Sequence, residues 1–207
     1  MATIPLPAPS RHLISVDAFH RMGEVGILGP GDRVELIDGE IIDLSPIGVL
    51  HAALVARLAS WFSQKLGRAA VVWCQNPLRL DDLSEPEPDI AILRPRADFY
   101  TTSHPGPADV LLVIEVSDTS LAYDLGTKVP LYARHGIPEV WVIDAATRRT
   151  RVFRGLAGGR EAGSPAGSGY AAEVSVEPQE PLSCAGVVDD VCGGVVVELA
   201  RLLPTLG

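Results

Sequence analysis

Apolar positions recur every three or four residues over one long stretch of the chain and fall in short runs over most of the rest, a pattern of helices laid against a sheet. The long stretch runs from Gly48 to Leu66, where Leu50, Leu54, Leu58, Trp61, Phe62 and Leu66 share a helix face that Gly67 terminates. Upstream, Ser15 is placed to cap a shorter helix through about Ile27, closed by Gly29-Pro30-Gly31. Between the two, RVELIDGEIIDLS sets apolar-rich runs on either side of Asp38-Gly39, a hairpin-turn dipeptide, so strands are expected at 33–37 and 40–44.

Further along, runs at 70–80, 89–94 and 109–117 are each short enough for a strand and bounded by Pro, Gly or Asp. The last, DVLLVIEVS, is apolar on both alternating faces, which predicts a central strand covered on both sides. A helix is expected around 120–135, then two strands in PEVWVIDAATRRTRVFRGL joined through a turn at Asp144 to Arg148. A weak strand at 171–177 and a short helix within 193–203, carrying Val197, Leu199, Leu202 and Leu203, complete the pattern. The proline-rich segment 1–12 reads as a mobile arm, and residues 13–207 read as one domain with a core at about 33–154. Residues 155–169, with six glycines, read as a flexible loop that lacks the Gly-Lys-Ser/Thr phosphate signature.

Composition narrows the classes. With 17 Lys+Arg against 26 Asp+Glu the formal net charge is −9, which argues against coating nucleic acid by bulk charge, although a local site could still bind it. Three cysteines, Cys74, Cys184 and Cys192, form neither a disulfide framework nor a C-x-x-C pair. The N-terminal residues carry no apolar leader segment and no run approaches a membrane span, so a cytoplasmic location is expected.

Two carboxylates stand out. Glu115 lies inside LLVIEVS, on the strand face of Leu111 and Val113, where an ionised acid is costly unless paired, metal-bound or protonated. Asp89 opens the strand DIAIL on the face of Ala91 and Leu93, so neighbouring strands would let the two acids converge on a hard cation such as Mg²⁺. The alternative is a buried Glu115 paired with an Arg, with Asp89 merely starting a strand. Downstream, helical spacing puts Asp124, Lys128, Tyr132 and His135 within one face.

Pro88-Asp89, E-V-S-D-T-S from Glu115, then Asp124, Lys128, Tyr132, Gly136, Pro138-Glu139 and Trp141, together with E-L-I-D-G-E at 35–40, resemble the restriction-endonuclease family of bacterial proteins within the PD-(D/E)XK nuclease-like superfamily. The resemblance spans about residues 12–154. It implies an α/β, restriction endonuclease-like core: a mixed central sheet flanked by helices, here with an extra N-terminal hairpin. It implies Asp89 and Glu115 as ligands of Mg²⁺, with Mn²⁺ as a substitute. The family's lysine two positions after the acid is replaced by Ser117, and Lys128 resembles a migrated lysine able to orient water or stabilise phosphorane charge. A solvated Lys128 paired with Asp124 is the other reading. Pro130 either removes a hydrogen bond from a helix begun near 120 or opens a helix that starts near Val129.

His51, near the start of the long helix, is a candidate to accept a proton or steer phosphate, and a structural histidine is the plain alternative. Of Glu35 and Glu40, which flank the hairpin turn, Glu40 is favoured as an extra ligand or water orienter because it is nearer His51 in sequence. Arg94, Arg96, Arg134, Arg148, Arg149, Arg151 and Arg154 offer a modest basic patch, whereas DDLSEPEPD at 81–89 would repel phosphate without a bound cation. The resulting expectation is a Mg²⁺-dependent endonuclease acting on DNA, with a homodimer as the arrangement that would present two sites to a duplex. Competing readings are a nuclease-fold nucleic-acid-binding module without activity and a metal-dependent hydrolase of small phosphorylated molecules.

Overall fold

In the computed structural model, which describes residues 10–157, 169–184 and 196–202, Ser15 caps helix α1 (Val16–Glu24), its Oγ accepting from the Ala18 N–H at 3.2 Å. The helix stops before Ile27 because Gly26 adopts φ +77° and the N–H groups of Gly26 and Ile27 close back on Gly23 and Met22. Strands β1 (Val34–Ile37) and β2 (Glu40–Asp43) form the expected hairpin. Asp38 and Gly39 both take positive φ, 51° and 77°, the geometry a two-residue primed turn requires.

Helix α2 (Val49–Leu66) buries Leu54, Val55, Leu58, Phe62 and Leu66, four of which belong to the stripe seen in the sequence. Strands β3 (Val71–Cys74), β4 (Ile90–Leu93), β5 (Val110–Ser117), β6 (Glu139–Asp144), β7 (Thr150–Leu156) and β8 (Tyr170–Val176) make one six-stranded sheet in that order. Every pair is antiparallel except β5 with β6, which is parallel and therefore needs a crossover. The crossover is helical: α3 (Leu121–Tyr123), a π turn (Asp124–Lys128) and α4 (Val129–Arg134).

All eight residues of β5 are buried, as a strand covered on both faces should be. Ile114 and Val116 pack with Leu58, Phe62 and Trp141 in one apolar cluster beneath α2, while Val113 packs with Val129, Leu131 and Tyr132 in a second cluster beneath the crossover. Glu115 alternates onto the crossover side.

Several local readings shift. The run at 70–80 is strand only through Cys74, because Gln75 takes φ 47° and turns the chain. The short helix expected in the tail is α5 (Leu199–Leu202), but Val197, expected on that helix, lies in a strand before it, β10 (Val196–Glu198), which pairs with β9 (Pro181–Ser183). Adjacent valines favour the extended form. Of the expected arm, residues 1–9 lie outside the described residues, as do 158–168 of the glycine-rich segment.

A methyl group built on Gly39 would sit 2.6 Å from Leu13 Cβ, and the residue already has positive φ, whereas one on Gly23 in α1 meets nothing within 4 Å. Gly39→Ala is expected to lower stability by about 1–3 kcal/mol and Gly23→Ala to raise it by up to about 1 kcal/mol. Urea midpoints that move together would contradict this account of the hairpin.

Candidate active site

The antiparallel register Ile90↔Ile114 brings Asp89 level with Glu115, one position further along. Each acid is tied to the other strand: the Val116 N–H donates to Asp89 Oδ2 at 2.8 Å, and the Asp89 N–H donates to Glu115 Oε2 at 3.3 Å. Asp89 Oδ1 faces His51 Nε2 at 2.9 Å and accepts from Gln75 Nε2 at 3.4 Å. His51 sits in the first turn of α2, which carries it over the strand entry.

Lys128 reaches the same place from the crossover. Its Nζ lies 3.2 Å from Glu35 Oε2 and 3.3 Å from Glu115 Oε1, and 3.5 Å from the Glu87 carbonyl. Pro130 has no N–H, and in a regular helix its ring would meet the carbonyl four residues back, that of Gly126. The wider π turn absorbs the misfit, the Val129 N–H bonding to the Asp124 carbonyl five residues back. The helical path thus begins at Leu121 and still delivers Asp124, Lys128 and Tyr132 to one buried face.

Hydroxyls hold the acids in place. Tyr132 donates to Glu115 Oε1 at 2.7 Å and Tyr123 to Glu35 Oε1 at 3.0 Å, while the Glu87 N–H donates to Glu35 Oε2 at 3.0 Å. Asp124 Oδ2 accepts from Ser117 Oγ at 2.7 Å and Ser120 Oγ at 2.5 Å. Four carboxylates, Glu35, Asp89, Glu115 and Asp124, therefore surround one ammonium. Burial pushes Glu115 up to about 8, with Asp124 and Asp89 adding to the shift against the pull of Lys128 and Tyr132. Burial likewise raises Asp124. For Lys128 burial disfavours the charge, yet Glu115 and Glu35 outweigh it and hold the ammonium protonated. The hydrogen bond to Asp89 raises His51 against the opposing effect of burial, and its Nδ1 is buried without a partner.

These groups open onto a cavity of about 420 Å³, with Arg33, His51, Asp89, Glu115, Asp124 and Lys128 in its wall. Asp89, Glu115, Lys128 and His51 are thus brought together. Glu40 is not: it lies at the turn end of the hairpin, half-exposed and 2.5 Å from Arg11, while the opposite end, with Arg33 and Ile42, lines the cavity. Glu35, fully buried, is the hairpin acid in the cluster. His135 turns away to Asp81 at 2.9 Å. Neither Lys128 nor Glu115 matches its plain alternative, since Lys128 is 4% exposed and Glu115 pairs with it rather than with an Arg. Of the seven arginines expected in a basic patch, Arg96, Arg134, Arg149, Arg151 and Arg154 pair with Asp98, Asp38, Glu177, Glu173 and Glu139, and Arg94 donates to the Ala108 carbonyl. Tyr123, Ser120 and Gln75 carry no signal in the sequence pattern.

A family model described as Uma2, putative restriction endonuclease, matches residues 16–181. The chain belongs to this family. Among solved structures, a crystal structure described as a putative nuclease from Anabaena variabilis superposes with a TM-score of 0.69 at 16% identity, over 92% of this chain and 97% of that one. At that identity the likeness shows the fold, a nuclease-type mixed sheet flanked by helices. No curated protein matches the chain. The Uma2 assignment makes the protein nuclease-like, and among the described residues no helix is long and apolar enough to cross a membrane.

A carboxyl raised to about 8 in the folded chain, from an ordinary 4.5, stabilises fully below about 4.5, and that stability is lost as pH rises through 8. In chelator the protein should therefore lose on the order of 3 kcal/mol between pH 5 and pH 9 through this group. Glu115→Gln should flatten that part of the slope. Parallel denaturation profiles for the two proteins would place the proton elsewhere.

Proposed function

We propose that this Uma2 chain is a Mg²⁺-dependent endonuclease that hydrolyses phosphodiester bonds in DNA, with Mn²⁺ able to substitute. The observation that carries the reading is the cross-bonded pair Asp89 and Glu115 with a buried lysine 3.3 Å from Glu115 at the wall of an open cavity. The donor set fits a hard divalent cation. Asp89 and Glu115 are carboxylates within an acid excess that Lys128 alone does not neutralise, and the cavity leaves room for the waters Mg²⁺ retains. When bound, the ion supplies positive charge that polarises the scissile phosphate and acidifies a water.

The remaining chemistry belongs to the chain. Lys128, fixed by Glu35 and Glu115, places a permanent positive charge where negative charge grows on the phosphoryl oxygens. His51, held by Asp89 at Nε2, has a free Nδ1 at which a proton can be taken up or released. Tyr132 and Tyr123 fix the rotamers of Glu115 and Glu35 and stay neutral, because burial and the adjacent acids raise both phenols. Arg33 at the cavity wall is a contact for the flanking backbone. A homodimer in the cytoplasm, with two such cavities on one duplex, would cut both strands.

A second reading rests on a specific observation: a cavity of about 420 Å³, with Arg149 and Arg151 of the expected basic patch paired to acids, suits a small phosphorylated molecule as well as a polymer. Nicking of supercoiled plasmid in Mg²⁺ or Mn²⁺, absent in chelator, is the expected result, and Lys128→Ala should lower it by about 10²-fold or more. Hydrolysis of bis(p-nitrophenyl) phosphate without nicking would move the assignment to the small-molecule class. Salt-dependent DNA binding with neither reaction would make the chain a binding module.

Metal binding has its own readout. Wild-type melting temperature should rise with millimolar Mn²⁺, because the ion binds only the folded state, and Asp89→Asn should abolish the rise. A flat wild-type response at saturating Mn²⁺ would remove the metal from the site.

A further inference from the structure

Beyond the cavity, one set of side chains brings three metal-binding atoms together: among the described residues, only His20, Glu85 and His104 place their ligand atoms within 4.8 Å of one another. We propose that these three residues form a second metal site, selective for a zinc-class transition-metal ion. They come from separate parts of the chain. His20 lies on α1, Glu85 bridges antiparallel to Leu36 of β1, and His104 sits beside Pro105, whose carbonyl accepts from the Arg79 N–H at 3.0 Å.

A simple ion pair accounts for only part of this arrangement. His20 Nε2 stands 2.5 Å from Glu85 Oε1, yet Glu85 is 2% exposed and its second oxygen, Oε2, is buried with no hydrogen-bond partner. A buried carboxylate oxygen left unpaired is costly, and a cation is the partner it lacks. The His104 ring meets the His20 ring edge-on at 5.9 Å between centroids, so a second imidazole stands beside the first. Two protonated imidazoles there would repel, whereas two neutral ones are ligands. Two histidines and one carboxylate form a set Zn²⁺ accepts in tetrahedral geometry, with the fourth position left to water. His104 is exposed and the His20 side chain is 39% exposed, so solvent reaches that position. Imidazole donors favour zinc over Mg²⁺, which separates this site from the carboxylate pair in the cavity.

The ion braces the active-site segment. The Glu85 N–H donates to the Leu36 carbonyl at 2.7 Å, the Glu87 N–H holds Glu35, and Asp89 follows two residues later. Metal held by His20 and His104 fastens α1 and the His104 loop to the start of this short run.

Zinc titration of the full chain against a chromophoric chelator, in excess Mg²⁺, tests the site. The Asp89→Asn background keeps the cavity acids from contributing. One ion per chain is expected, with a rise in melting temperature, and His104→Ala or His20→Gln should weaken binding at least about tenfold and remove the rise. Because His104 is exposed, His104→Ala should leave metal-free melting unchanged, so lost zinc response is separable from lost folding. Equal zinc affinity in Asp89→Asn with and without His104→Ala, or no zinc-dependent shift in either, overturns the proposal.

Discussion

The ammonium of Lys128 ties together three parts of the chain by charge. Glu35 comes from a two-stranded hairpin outside the main sheet, Glu115 from the central strand, and Lys128 from the crossover between β5 and β6. Stripping water from an ion costs several kcal/mol, and only nearby opposite charge with good hydrogen bonding returns it. Glu35 is 0% exposed, so an uncharged residue at 128 would leave its carboxylate buried with only the Tyr123 hydroxyl and the Glu87 N–H for company. The hairpin is thus docked partly by charge, and the forces that seat it also build the candidate site.

Glu115 and Asp89 were legible because each breaks a local pattern: one is a charge in an unbroken apolar run, the other a charge at the mouth of a strand. The long helix and the doubly covered strand followed from periodicity for the same reason, since burial on a known face is a local property of spacing. The choice between Glu35 and Glu40 was not local. It depends on which end of the hairpin meets the sheet, and the bridge from Leu36 to Glu85 decides that through contacts fifty residues apart in order of magnitude. Sequence proximity to His51 pointed to the wrong end. Pro130 left the crossover ambiguous because the π turn that accommodates it has no signature in apolar spacing. The end of α1 hung on a left-handed Gly26 ahead of the more conspicuous Gly29-Pro30-Gly31, and the tail on strand pairing that a weak apolar run does not announce.

The chain's net charge of −9 does not describe how charge is arranged locally. Its arginines at 134, 149, 151 and 154 are paired with acids one by one, so they contribute little field at a distance. Near the cavity the balance is negative, with Glu35, Asp89, Glu115 and Asp124 set against Lys128. On the proposed function, such a site would repel phosphate without a cation and attract it with a divalent ion, which makes the affinity for a polyanion conditional on the ion. Raised values at Glu115 and Asp124 report the same excess from the proton's side.

Ser117 occupies the position where the resembling nucleases carry a strand lysine, and it has a different task. Its hydroxyl donates to Asp124, the first residue of the π turn, and Ser120 donates to the same oxygen. The end of β5 is thereby pinned to the start of the turn that presents Lys128. An ammonium arriving from a strand would be aimed by the pleat alone. One arriving from the crossover needs its helical path anchored at both ends: Ser117 and Ser120 hold the entry, while Tyr132, bonded to Glu115, holds the following helix. With the ammonium on the crossover, its position is coupled to three side-chain hydrogen bonds and a π turn. The charge reaches Glu115 only while the crossover keeps that geometry.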